Sequence, residues 1–129
     1  VVNRLLAAAF SRADVPLDQR EDFLVLVDEF QDYASPAFKT MLSGARKYRL
    51  SLVMAHQHVA QLPSDLRDAV FGNVGTMVSF RVGVKDAPLL MAAMEPSPLV
   101  PADYVSLPNF TAFATTLSGG QRVPGLVSG

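Results

Sequence analysis

Cysteine is absent from this 129-residue chain. That removes disulfides, thiolate chemistry, iron–sulfur clusters and cysteine-based zinc sites, and it is compatible with a reducing compartment. An excess of either charge is missing too. Eleven Lys and Arg against twelve Asp and Glu leave a formal net charge of -1, so no global field draws the chain to nucleic acid or an anionic membrane, and any polyanion contact must be local. No apolar run reaches the roughly 18 residues that span a bilayer. The opening Val1-Val2-Asn3 has neither an initiator Met nor the basic-then-apolar pattern of a signal peptide, as expected of a piece of something longer. A phosphate cradle of the form G-x-x-x-x-G-K-[ST] is lacking as well. Lys39 follows Phe38, Lys47 follows Arg46 and Lys85 follows Val84, so no lysine follows a glycine.

What is present suits a folded domain. Half of the residues are apolar and 18% are charged, enough to build a core in a chain of this length and an argument against intrinsic disorder. Leu5, Leu6, Ala8, Ala9 and Phe10 recur at helical spacing behind Asn3, a candidate N-cap. After the charged connector Asp18 to Asp22, the run Phe23-Leu24-Val25-Leu26-Val27 stops abruptly at Asp28-Glu29. Such a run predicts a strand buried on both faces, as in a helix-covered parallel sheet. Ser35-Pro36 opens a helix with Phe38, Met41, Leu42 and Ala45 on its apolar face. Leu50 to Ala55 repeats the strand pattern and ends in His56-Gln57-His58. A short helix capped by Ser64 or Asp65 runs to Phe71, with Gly72 and Asn73 as its stop.

Thr76 to Val82 reads as a third strand and Lys85 to Met94 as a helix burying Leu89, Leu90, Ala93 and Met94. Pro96, Pro98 and Pro101 mark an extended connection. Ala102 to Ser106 then forms one helical turn, and Asn109 to Leu117 pairs with Arg122 to Val127 as a C-terminal hairpin across Ser118 to Gln121. The alternation of strand and helix predicts an α/β fold of three layers, helices covering both faces of one sheet, with functional groups at the strand C-termini. A sheet edge left exposed offers a place for another copy to pair.

The strand tip at Asp28-Glu29 carries the main chemical signal. One carboxylate there can hold magnesium through water while its neighbour polarises a water for attack on phosphorus, the Walker B arrangement. The same residues also fit a plainer reading, in which Asp28 caps a turn and Glu29 is a solvated acid. Gln57, near the next strand tip, is a candidate sensor of a γ-phosphate or of its attacking water, or else an ordinary loop residue. His56 and His58, two apart with no third ligand, make a weak zinc case. Arg46-Lys47-Tyr48-Arg49 closes the intervening helix, where positive charge is favourable against the helix dipole by a few tenths to about 1 kcal/mol. The alternative is an arginine finger offered to a neighbouring subunit, and periodicity does not separate Arg46 from Arg49 in that role. Arg81 is either an outward-facing strand residue or a further charge aimed at a nucleotide or a subunit interface.

Taken in order, Leu26 to Gln31, Ala45 to Gln57 and Phe71 to Gly83 resemble the HerA-FtsK superfamily. Within it the chain is most similar to the ATPases of type IV secretion and conjugation, the TraG- and TraD-like coupling proteins. The tail, from Ala102-Asp103-Tyr104 through Leu107 to Phe110 and Ala112 to Thr115, is similar to the way these domains finish, so the resemblance covers about residues 20–117. It implies that residues 1–129 are the C-terminal part of a RecA-like P-loop ATPase domain, from Walker B to the final hairpin and without the Walker A half. It also implies a parent ATPase that hydrolyses ATP with Mg2+ in a homo-hexameric ring and moves DNA or a DNA–protein substrate.

By position, Asp28 would be the magnesium-associated acid, Glu29 the catalytic carboxylate, Gln57 the phosphate sensor and Arg46 the finger serving the next subunit. Arg81 falls in the matching Asn-Val-Gly block. DNA and secretion-channel or relaxosome proteins would be the partners. The segment would be cytoplasmic with no membrane contact of its own, any membrane anchor lying upstream of Val1. Without the cradle the chain alone is expected to be inactive. The competing expectations are a HerA-like repair translocase and a non-catalytic interaction module derived from an ATPase half.

Overall fold

A computed structural model describes residues 2–128, apart from the side chains of residues 2, 3 and 6. Asn3 lies within helix rather than at its cap, the helix already including Val2, and the expected apolar contact of Leu6 falls outside the described side chains. The chain divides into two compact units. One comprises the chain up to Gln57 together with Leu62–Asn73, and the other His58–Gln61 together with the chain from Val74 onward.

In the first unit, helix α1 (Val2–Phe10) is followed by strand β1 (Phe23–Val27), helix α2 (Pro36–Gly44), strand β2 (Leu50–Met54) and helix α3 (Ser64–Asn73). β1 and β2 pair in parallel, Phe23 opposite Leu50 and Val27 opposite Met54. α2 forms where Ser35 and Pro36 predict it. Ser35 is extended and its Oγ accepts a hydrogen bond from the Phe38 N–H at 3.2 Å, while Pro36 stands at the first helical position, where no N–H is needed. Phe38, Met41 and Leu42 bury the inner face of α2, at roughly 1.5–3 kcal/mol each. The half-buried Lys39 reaches Asp65 on α3, and that hydrogen bond holds the Asp65 carboxyl below its ordinary range.

Arg20 closes the connector into β1. Its guanidinium donates to the carbonyls of Val15 at 2.7 Å, Ala13 at 2.8 Å and Lys47 at 2.6 Å, and stands over the Tyr48 ring at 5.7 Å. Arg46 and Lys47 lie on a 3-10 turn, Ala45–Tyr48, that ends in a left-handed Arg49 at φ 52°.

The expectation that β1 is buried on both faces is overturned. Leu24, Leu26 and Val53, which share one face of the β1–β2 pair, are 57%, 71% and 53% exposed among the described residues.

In the second unit, β3 (Thr76–Ser79) is followed by α4 (Ala87–Ala93), α5 (Pro101–Ser106), β4 (Thr111–Ser118) and β5 (Gln121–Ser128). Both strand pairings, β3 with β4 and β4 with β5, are antiparallel. This corrects the single three-layer sheet: among the described residues the strands form two small sheets, and β3 does not join β1 and β2. The reason is visible along β3, where Met77 and Ser79 are buried while Thr76 and Val78 are exposed. That alternation belongs to a half-covered antiparallel strand. β3 also stops at Ser79, short of the expected Val82.

The expected hairpin forms, but its strands start at Thr111 and include Ser118 and Gln121, which pair instead of lying in the turn; Gly119 and Gly120, at φ +58° and +83°, make a turn that needs left-handed residues at both positions. The expected helix over Lys85 to Met94 is shorter, but Leu90 and Met94 are buried, as is Ala87. No helix among the described residues is long and apolar enough to cross a membrane.

Tyr104 centres this unit. Fully buried, it packs edge-on against Phe113 with ring centroids 5.6 Å apart and shares a hydrogen bond with the Ser97 hydroxyl at 3.2 Å. Burial, with a smaller push from the Glu95 charge, raises its pKa above the usual 10.0. A folded-state value above the unfolded one leaves stability intact below about pH 10 and erodes it as pH rises toward the folded-state value. Urea unfolding of the native chain is expected to show stability falling as pH rises above about 10. Tyr104→Phe, lower in stability by about 1 kcal/mol at pH 7 through the lost hydrogen bond, is expected to lack that part of the alkaline decline.

Candidate functional site

The parallel pairing of β1 and β2 brings their C-terminal ends side by side. The ladder runs on past the strands: the Ala55 N–H donates to the Val27 carbonyl at 2.9 Å, and the Phe30 N–H donates back to the Ala55 carbonyl at 3.2 Å. Asp28 and Glu29 therefore leave β1 opposite the residues that lead to Gln57. Phe30 fixes the turn from below. It is buried, stacks parallel to Phe38 at 6.0 Å and meets the His56 ring edge-on at 4.7 Å.

Between these anchors Glu29 takes a left-handed conformation, φ 47° and ψ 51°. For a residue with a Cβ this costs of order 1–3 kcal/mol, and such strain gathers at functional sites. Its carboxylate is held by two amides. Gln57 Nε2 donates to Oε1, and Gln31 Nε2 donates to Oε2 at 2.8 Å. The structure thus joins two of the sequence-predicted residues, Glu29 and Gln57, directly. Gln31 escaped the sequence reading. Its signal was the i, i+2 spacing from an acid on a strand-terminal turn, which matters only once that turn is known to be tight.

Asp28 is exposed, and its Oδ1 accepts the Glu29 N–H at 3.0 Å. That bond reaches only the next residue, and the 3-10 turn that follows has no side-chain cap. No group of three or more His, Cys, Asp or Glu among the described residues could cage a metal. A lone carboxylate fits magnesium differently, since that ion keeps several waters and is commonly shared between one or two acids and substrate phosphates. A cleft of about 260 Å³ opens beside Asp28, walled by Leu5, Val25, Leu26, Val27, Tyr33, Phe38 and Met41. Its lining brings no cation to a phosphate.

Arg46 is exposed on the turn that leads into β2. Because β1 and β2 run in parallel for five residues, that turn and the Glu29–Gln57 contact lie at opposite ends of the pair, about 16 Å apart at the usual strand rise. Arg46 cannot serve this chain's own Glu29. Arg81 belongs to the second unit, past the end of β3, where its Nη2 donates to Asn109 Oδ1 at 3.1 Å. The two histidines part company: His56 packs on Phe30 in the first unit, and His58 stands 3.7 Å from Asp86 in the second.

Asp86 was also missed by the sequence reading. It is 4% exposed and accepts the Ala60 N–H at 2.6 Å, tying His58–Gln61 to the start of α4.

No curated protein matches the chain. A family model described as the TraM recognition site of TraD and TraG matches residues 22–92, from just before β1 to α4 and more than half of the chain. The chain belongs to this family, which relates it to the coupling proteins of conjugation.

Proposed function

We propose that this chain is the water-activating part of a conjugative coupling ATPase, and that the same segment carries docking contacts for a relaxosome protein of the TraM kind. The observation that carries the catalytic half is the Glu29–Gln57 contact. A strained carboxylate at one strand tip is bonded to a neutral amide at the next, the pairing expected of a base and a group that reports on phosphate. The docking half rests on the family description, which names a recognition site over residues 22–92.

In this reading Glu29 takes a proton from water, and Gln57, once drawn toward phosphate, leaves the Glu29 carboxylate. Asp28, which is exposed, would hold Mg2+ through water, and the ion would supply charge neutralisation on the phosphates. The cradle for the nucleotide comes from outside this sequence, which contains no glycine-lysine motif. Arg46 acts in a ring of subunits, since its distance from Glu29 along the parallel pair suits an arginine offered to a neighbour. DNA is the transported polymer, and Arg81 is a secondary candidate for contact with nucleotide or subunit. The family match favours conjugation over repair, and it lends weight to the non-catalytic alternative only if hydrolysis fails the tests below.

Three outcomes are expected. Calorimetry on residues 1–129 with millimolar ATP and Mg2+ is expected to register no binding; micromolar affinity would show a cradle within the chain. In the coupling protein that combines this segment with a phosphate cradle, Glu29→Gln is expected to keep nucleotide affinity and lower turnover at least a hundredfold, the low end of the general-base contribution. Turnover at the native rate would remove Glu29 from the role. Rings that mix Arg46→Ala with Glu29→Gln subunits are expected to regain part of the lost ATPase rate, because some interfaces then pair an intact finger with an intact base. No recovery at any mixing ratio would rule out action between subunits.

A further inference from the structure

We infer that Gln31 is a positioning residue for Glu29: it holds Oε2 of the carboxylate and so sets the direction of Oε1, the oxygen that Gln57 meets. The inference rests on the proposal that Glu29 acts on water.

The two amides that grip Glu29 are not equivalent. Gln57 comes from a different strand tip and is exposed, so its side chain is able to swing away. Gln31 sits two residues on, within the same 3-10 turn (Phe30–Tyr33) that Phe30 anchors in the core, and is half-buried. An ionised carboxylate only accepts hydrogen bonds, so Gln31 must present its NH2 to Glu29. Its carbonyl oxygen is thereby turned into the protein, where Oε1 is buried with no hydrogen-bond partner among the described residues.

A buried polar atom left without a partner costs stability, and an apolar side chain of similar length avoids that cost. Packing alone would therefore favour Met at this position. The amide is accounted for by the single bond it makes to Oε2 at 2.8 Å. That bond also explains how Glu29 keeps a defined direction in its left-handed conformation when Gln57 departs. A hydrogen bond at Oε2 narrows the rotamers open to the carboxylate and so limits the directions in which Oε1 is presented. Fixing the reacting oxygen is worth up to about a hundredfold in rate when the loss amounts to an ångström-scale misplacement.

Gln31→Met separates positioning from packing. In the 129-residue chain the variant is expected to unfold at the same temperature as the native protein or higher, and the Gln31 side-chain NH2 signals of the native chain are expected to move in Glu29→Gln, as followed by two-dimensional NMR. A clear fall in the unfolding midpoint, or NH2 signals indifferent to Glu29, would overturn the inference. In the coupling protein carrying its phosphate cradle, Gln31→Met is expected to lower kcat tenfold or more with KM for ATP within twofold, and to have no further effect when Glu29 is already Gln. An unchanged kcat, a shift confined to KM, or additive losses in the double variant would each refute it. If Glu29→Gln alone hydrolyses ATP at the native rate, the water-activating role fails and the positioning role falls with it. The NMR result then still decides whether the Gln31–Glu29 bond exists.

Discussion

The first unit depends on the parallel register of β1 and β2. Two parallel strands alone are not stable in water, and this pair persists because Phe38, Met41 and Leu42 of α2 cover one of its faces. Once the register is set, with Val27 opposite Met54, the chain ends that leave the two strands are adjacent. The Ala55 and Phe30 amides extend the ladder past the strands, and Phe30 drops into the core between Phe38 and His56. Glu29 has little choice after that. It must bridge the last ladder residue of β1 and a buried ring, and the left-handed backbone is the way it does so. A slip of one residue in the register would exchange the faces of the strand and dismantle the Glu29–Gln57 contact with it.

The same register distributes the charged groups. Asp28 and Glu29 stand at the C-terminal end of the pair, while its N-terminal end mixes both charges: Arg49 is 3.5 Å from Asp22, and Arg20 satisfies three carbonyls at once. The exposed Leu24, Leu26 and Val53 leave the pair incomplete on one apolar face, since parallel strands are ordinarily covered on both sides.

Local chemistry was legible in the sequence and long-range pairing was not. Ser35-Pro36 and Gly119-Gly120 specify a helix start and a hairpin turn through their own backbone preferences, and both are found where expected. The bounds of β1 followed from five apolar residues between acids. The partner of β3 did not follow, because Thr76 to Ser79 reads equally well as the next strand of a parallel sheet; only the later strand Thr111–Ser118 competes for it, through a register no local pattern announces. At the site, Asp28, Glu29 and Gln57 could be singled out because acids and an amide at strand tips are chemically conspicuous. Gln31 and Asp86 stayed hidden for the opposite reason, being unremarkable residues whose importance comes from what the folded backbone places within 3 Å of them.

The chain changes unit three times, at Gln57–His58, at Gln61–Leu62 and at Asn73–Val74. Neither unit is a continuous stretch, so no single cut yields two complete halves. A nascent chain released as far as residue 61 holds β1, β2 and the His58–Gln61 segment, yet that segment has nothing to join until α4 and Asp86 are made some 25 residues later. With amino acids added at about 5–20 per second, the residues just after Gln57 wait on the order of seconds for their partner. The order of synthesis therefore forms the Glu29–Gln57 end of the molecule before the part that secures the loop beyond it.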